Sequence, residues 1–202
     1  LMLANINDIL IISTKEDIGN YENLLGDGSD FGIKLTYKVQ EQPRGLADAF
    51  IIGEEFIGKD DVCLILGDNV FHGEHLSKTL WEAIKNLKGA TIFGYPVSNP
   101  KEFGVVEFDK NDKVISIEEK PAQPKSNLAS MGIYIFTWKV LKEALIKDNT
   151  IHEDSDFGKH IIPEMINSEM NVYAYRFNDY WRDIGTIDAY WKANMELTET
   201  VP

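Results

Sequence analysis

Val62-Cys63-Leu64-Ile65-Leu66-Gly67-Asp68-Asn69 is the stretch on which the fold turns. It opens with an unbroken apolar run, the pattern of a strand covered on both faces, as in a parallel α/β sheet. The run stops at a glycine and a carboxylate. In open α/β sheets ligands gather beyond the carboxyl ends of such strands. Asp68 therefore stands where chemistry is expected, and Gly67 leaves room for a ligand to approach the backbone. An Asp at this place also serves to open a turn or cap the next helix.

Outward from this run, apolar β-rich segments alternate with helical patterns. Strands are expected at Ile9–Ser13, Lys34–Val39, Val62–Leu66, Ala90–Tyr95, Val105–Phe108, Val114–Ile117, Gly132–Phe136 and Val172–Phe177. Helices are expected at Gly45–Ile57, Leu76–Leu87, Trp138–Ile146, Phe157–Met170 and Ile187–Thr198. This alternation predicts an α/β fold with a mixed, mostly parallel sheet flanked by helices. Val105–Phe108 and Val114–Ile117 flank the polar turn Asp109–Lys113, which predicts a small antiparallel lobe facing the ligand edge of the sheet. No linker, repeat or low-complexity tract divides the chain.

The 202 residues suffice for one large domain or two small ones, and an apolar fraction of 44% with 26% charged residues is that of an ordinary globular protein. Net charge is −13 and the 20 basic residues form no patch, which argues against a nucleic-acid partner but leaves a small phosphorylated ligand possible. No run approaches the ~18 apolar residues that span a bilayer, and no signal-peptide pattern is present, so a cytoplasmic protein without a membrane partner is expected. Cys63 is the only cysteine and is expected to be an inert buried thiol. His72, His75, His152 and His160 lack ligand spacing and are expected on the surface. Leu1–Asn5 reads as the end of a helix already under way.

Three further clusters carry candidate chemistry. Tyr180-Trp181-Arg182-Asp183-Ile184-Gly185-Thr186 reads as a strand-to-helix corner with a close backbone approach at Gly185. Asp68 and Asp183 end separate α/β segments, and two acidic corners make a reasonable Mg²⁺ site, since that ion takes one or two carboxylates and fills its shell with water and substrate phosphates. Glu118-Glu119-Lys120-Pro121 is either a solvated charge cluster or a clamp with a carboxylate for hydroxyls and an ammonium for phosphate. Pro121 is expected to hold Lys120 extended, so that Glu119 and Lys120 point to opposite sides. Val39-Gln40 followed by Pro43-Arg44-Gly45-Leu46 ends a strand in an amide that suits a nucleobase edge, or forms an ordinary loop.

Leu24–Ser29, Val39-Gln40, Gly45-Leu46-Ala47, Phe50–Gly58, Leu66–Asn69 and Phe103–Phe108 with Glu119-Lys120-Pro121 closely resemble glucose-1-phosphate thymidylyltransferases, over roughly residues 1–125. Pro124–Tyr134, Ser155–Lys159 and Tyr180–Thr186 through Met195 resemble ADP-glucose pyrophosphorylase instead. Both are sugar-phosphate nucleotidylyltransferases of one Rossmann-like fold.

The resemblance implies a single catalytic domain over 1–202, with a nucleotide-binding part at about 1–100 and a sugar-binding part at about 101–202. It implies transfer of a nucleotidyl group from a nucleoside triphosphate to a sugar 1-phosphate, with dTTP and glucose 1-phosphate ahead of ATP, Mg²⁺ as cofactor and a homo-oligomer. By motif match, Asp68 and Asp183 are metal ligands, and with Lys120 they are the catalytic candidates. Gln40, Gly45, Gly67 and Asp68 fall on the nucleotide side, and Gly104, Glu119, Lys120 and Ser130 on the sugar-phosphate side. The family's amino-terminal Gly-rich loop, its Arg and the Lys that follows are not in these residues. A central strand would be missing with them. Residues 1–202 are therefore expected to leave a slot beside Val62–Leu66, or neighbours that close it, and not to turn over at a useful rate. A fragment or chimera that keeps only part of the sugar-phosphate pocket is the rival reading.

Overall fold

The computed structural model describes residues 1–73, 75–149 and 156–199. The strands are β1 (Asp8–Ser13), β2 (Lys34–Val39), β3 (Val62–Ile65), β4 (Asn69–His72), β5 (Ala90–Pro96), β6 (Gly104–Phe108), β7 (Val114–Glu119), β8 (Leu128–Phe136), β9 (Val172–Arg176) and β10 (Tyr180–Asp183). The helices are α1 (Ile18–Leu25), α2 (Asp48–Ile52), α3 (Glu54–Ile57), α4 (Leu76–Lys85), α5 (Trp138–Asn149), α6 (Ile162–Asn167) and α7 (Ile187–Glu196). A short 3₁₀ turn at Met2–Ala4 precedes β1.

The main sheet runs β7-β6-β8-β5-β9, with β3 also paired to β8. The α/β fold with a mixed sheet is as expected, but the balance of pairing is not mostly parallel. Among the described pairings only β1 with β2 and β5 with β9 are parallel. The cause is β8, which runs antiparallel to β3, β5 and β6. The predicted hairpin is present as β6 and β7 and joins the main sheet through β8. Its turn is held by Asp109, whose Oδ1 accepts from the N–H groups of Asn111 (2.8 Å) and Lys113 (3.0 Å), bonds that lower the pKa of this carboxyl. A separate antiparallel ribbon pairs β4 with β10.

Alternation along the strands divides the core in two, because successive side chains point to opposite faces. Tyr134 and Phe136 of β8, Ala90 and Ile92 of β5, and Val172 and Ala174 of β9 share one cluster with Phe50, Leu141, Ile161 and Met165 from the helices. Met131, Ile133 and Ile135 of β8 and Phe93 of β5 face the other, beneath Leu80 and Ala83 of α4. β3 sits between them, with Val62 and Leu64 against the first and Cys63 and Ile65 against the second. The apolar run that opened the sequence reading is thus covered on both faces. Cys63 is half-buried, and burial pushes its thiol up to about 11, which keeps it protonated and unreactive at neutral pH.

Among the described residues β1 pairs only with β2, and β3 only with β8. A cavity of about 350 Å³ lined by Ile9, Leu10 and Ile12 of β1 and by all of β3 lies between them, floored by Phe50 and Phe56.

Helix boundaries differ from the sequence reading for local reasons. The helix expected over Gly45–Ile57 breaks into α2 and α3 at Gly53, where a Cβ would lie 2.9 Å from the Ala49 carbonyl oxygen and 3.1 Å from Leu10 Cδ2. The helix expected from Phe157 opens as a π-helical turn, Phe157–Ile161, whose N-cap Asp156 accepts from Lys159 N–H at 2.9 Å. Pro163 follows early in α6 and cannot donate back into that turn. α1 was not anticipated, although Ile18, Tyr21 and Leu25 stand at helical spacing; none of its residues is buried. His72 and His75 are exposed and His160 is half-buried, while His152 and Ser155 lie outside the described residues. Among the described residues no helix is long and apolar enough to cross a membrane.

Phe136 is fully buried, edge-on to Phe50 and stacked on Tyr134 and Phe157. Phe136→Ala removes the centre of this cluster and is expected to cost about 3–5 kcal/mol in urea unfolding at an unchanged m-value.

Candidate active site

β8 forks at Gly132, and the site occupies the fork. On one side β8 pairs with β3 over Ile133–Phe136, and nearer its start Ala129 pairs with Val105 of β6. Between the two, Gly132 adopts φ +70, and a Cβ there would meet Leu66 Cδ1 at 2.7 Å. Glycine at this position lets the chain past β3 come down onto β8. A cavity of about 270 Å³ opens there, lined by Leu66, Gly104, Glu119, Lys120, Ser130 and Asp183 among others. All four sugar-phosphate candidates thus share one cavity with one of the two acidic corners.

Gly104 and Glu119 face each other as the first pair of the β6–β7 ladder. A Cβ on Gly104 would stand 2.8 Å from Glu119 Oε2, so only glycine leaves this carboxylate in place. Lys120 departs from expectation. Its φ is +46, a left-handed backbone, while its N–H donates to the Phe103 carbonyl at 3.0 Å and carries the β6–β7 register one residue further. Its Nζ lies 3.8 Å from Glu119 Oε1, on the same side rather than the opposite one. Lys120 is largely exposed, so this pair contributes little to stability. The Ser130 and Tyr134 hydroxyls are hydrogen-bonded at 2.9 Å. Burial pushes the Tyr134 hydroxyl up, opposed by that hydrogen bond, so it stays neutral.

The two acidic corners meet. Asp183 ends β10 opposite Asn69, which begins β4 directly after Asp68. Ile184 N–H donates to the Asp68 carbonyl at 2.8 Å and binds one corner to the other. Gly185 N–H donates to Asp183 Oδ1 at 2.8 Å. The point that a Cβ on Gly185 would occupy is 3.1 Å from Asp183 Oδ1 and 3.5 Å from Asp68 Oδ2, so two hard oxygen donors flank one small space. That donor set fits Mg²⁺, which takes its remaining positions from water and phosphate. Among the described residues no cluster of three or more metal-ligating side chains occurs, so the chain would supply these two carboxylates alone. Gly67 has open space where its Cβ would be.

Gln40 and Gly45 lie beside this cavity rather than in it; Leu46, next in sequence, is in its wall. Gln40 Nε2 donates to the Gly45 carbonyl at 3.2 Å and to Asp48 Oδ2 at 3.0 Å. Asp48 is buried and also accepts from Arg44 at 2.9 Å. Both amide hydrogens of Gln40 are thus engaged within the chain, and its Oε1 is the atom left for a ligand. Gly45 has φ +89, a conformation that favours glycine.

The nucleotidyl transferase family model matches residues 1–200. The chain belongs to that family. The glucose-1-phosphate thymidylyltransferase of Neisseria meningitidis is 57% identical over 136 residues, 67% of this chain and 47% of that protein. The glucose-1-phosphate adenylyltransferase of Clostridium novyi is 42% identical over 161 residues, 77% of this chain and 42% of that protein. The chain spans about half the length of the curated relatives it matches. A Bacillus anthracis protein described as a glucose-1-phosphate thymidylyltransferase and crystallised with sucrose superposes with a TM-score of 0.83 at 32% identity, over all of this chain and 80% of that one. The fold is therefore that of a Rossmann-like nucleotidyltransferase.

Asn69, Phe103, Tyr134, Asp156 and Trp181 line the cavity without having been singled out from the sequence as site residues. All five lie inside the segments that carry the family resemblance, which was the signal available for them. Gly185→Ala places a methyl group between the two carboxylates without straining the backbone. It is expected to weaken divalent-cation binding about tenfold or more, measured by Mn²⁺ titration, while the melting temperature stays unchanged.

Proposed function

We propose that this chain forms the sugar-phosphate and cation side of a site for nucleotidyl transfer, in which an oxygen of a sugar 1-phosphate attacks the α-phosphorus of a nucleoside triphosphate in line and pyrophosphate leaves. The observation that carries this reading is the meeting of Asp68 and Asp183 at Gly185, beside a cavity walled by Glu119, Lys120 and Ser130. Such chemistry depends on positioning and charge neutralisation rather than on a protein nucleophile. Asp68 and Asp183 would hold Mg²⁺, which supplies neutralising charge between the phosphates. Lys120 would hold the phosphate of the sugar phosphate as a mobile point charge. Glu119, kept clear of Gly104, would accept from sugar hydroxyls, and Ser130 would contact the phosphate with its hydroxyl shared with Tyr134.

Glucose 1-phosphate with dTTP is the favoured pair, because the base-reading segment Val39–Ala47 is of thymidylyltransferase type and a 57% identical relative carries that name. Gln40 Oε1 would accept from a base N–H while Asp48 and Gly45 hold the amide in place. ATP is the second reading, supported by the adenylyltransferase relative that matches 77% of the chain. A homo-oligomer belongs to the proposal and is supported by Ile187, Tyr190, Trp191 and Met195, which leave an apolar stripe exposed on α7. So does the cytoplasm, where nucleoside triphosphates and sugar phosphates occur together.

Calorimetric titration of residues 1–202 in Mg²⁺ tests the reading. Glucose 1-phosphate is expected to bind, and Lys120→Ala to weaken it by about tenfold or more while changing dTTP binding little. Unchanged affinity would return Glu119 and Lys120 to a solvated charge cluster. Gln40→Ala is expected to narrow the difference between dTTP and ATP by at least about fivefold, and equal binding of the two by the unaltered chain would place base selection elsewhere. Rapid pyrophosphate release by these residues alone would overturn the expectation that they do not turn over.

A further inference from the structure

The Trp181 indole N–H donates to Asn69 Oδ1 at 2.7 Å, and Asn69 Nδ2 donates to Asp68 Oδ1 at 2.9 Å. We propose that Trp181 and Asn69 are positioning residues that hold the Asp68 carboxylate with Oδ2 turned toward Asp183, so that the cation corner is set before any ligand arrives. The proposal rests on the reading that Asp68 and Asp183 hold the divalent cation.

Asp68 is exposed, and a free aspartate there would rotate among its rotamers and present either oxygen. Two features remove that freedom. Asn69 occupies one oxygen, which leaves Oδ2 as the one near the Gly185 corner. Asn69 is in turn fixed by its carbonyl oxygen: with the indole donating to Oδ1, the amide must direct its NH₂ to Asp68, because the opposite orientation would set two donors face to face. The indole is itself immobile. Trp181 is 8% exposed and packs against Tyr95 at 5.4 Å and Phe103 at 5.8 Å between ring centres.

β10 makes this arrangement possible through its period of two. Trp181 and Asp183 share one side of the strand, and Tyr180 and Arg182 share the other, where both hydrogen-bond Glu196 of α7. The strand is thereby clamped from behind while its front carries both the second carboxylate and the indole that orients the first. Groups that orient a ligand to a metal commonly change affinity as much as a ligand's own surroundings do. A single residue, Asn69, thus links Asp68 to Trp181, although Asn69 and Trp181 are 112 positions apart in the chain.

The test is Mn²⁺ binding to residues 1–202, read from the free-ion electron paramagnetic resonance signal. Trp181→Phe keeps a ring in the aromatic cluster and removes only the indole donor. Asn69→Leu removes the amide at similar size and keeps the relay testable if the tryptophan variant does not fold. Each is expected to weaken Mn²⁺ about tenfold, with the double variant no weaker than Asn69→Leu alone, since Trp181 acts through Asn69. Unchanged affinity in folded Trp181→Phe, or losses that add in the double variant, would overturn the relay. If the unaltered chain binds no Mn²⁺, or Asp68→Asn and Asp183→Asn leave its affinity unchanged, the cation reading fails and the relay with it.

Discussion

Hydrogen bonding along β8 is the constraint on which the rest depends. One strand supplies partners to β3, β5 and β6, and it can do so only by releasing one neighbour where it takes up the next. Gly132 is the point of release. Its left-handed backbone and missing side chain let Leu66 settle against the strand, and the cavity opens where the sheet divides. A buried backbone that gives up a partner must find another or face solvent; here the fork opens onto the cavity that Ser130, Met131 and Gly132 line.

The acidic corners show how a short ribbon can join distant sequence. β4 and β10 are four residues each and would not persist alone. They are held because Trp181 and Phe71 belong to the core beneath α4, and because Ile184 N–H closes onto the Asp68 carbonyl. The price of this closeness is two carboxylates flanking one glycine with no cation among the described side chains between them, an arrangement that favours binding a divalent ion.

Lys120 and Gln40 mark where residue-by-residue reading stopped short. An extended Lys120 was a sound inference from the proline that follows, yet Lys120 takes a φ of +46 and its Nζ lies beside Glu119. Gln40 was read as a donor and acceptor that suits a nucleobase edge, but the buried Asp48, eight residues on, takes one of its hydrogens. Neither arrangement could be read from local pattern, since each depends on another element or on a loop whose path is not periodic. Gly53 is a third case: helical spacing ran straight through it, whereas the structure ends one helix and starts another there, with Leu10 of β1 close against the glycine.

What the sequence by itself determined was the α/β class, most strands to within a few residues, the doubly covered run at Val62–Ile65, and the residue types that a phosphate-transfer site needs. These follow from periodicity and from motifs contained in single segments, which depend on nearest neighbours in the chain. What only the tertiary structure decided was the predominance of antiparallel pairing around β8, the fork at Gly132, and the geometry by which Asp68 and Asp183, already paired as acidic corners in the sequence reading, close on Gly185. Strand direction and the convergence of distant carboxylates are properties of how segments close on one another. Nothing within a segment encodes them, because the hydrogen bonds and packing that select them come from residues far away in the chain.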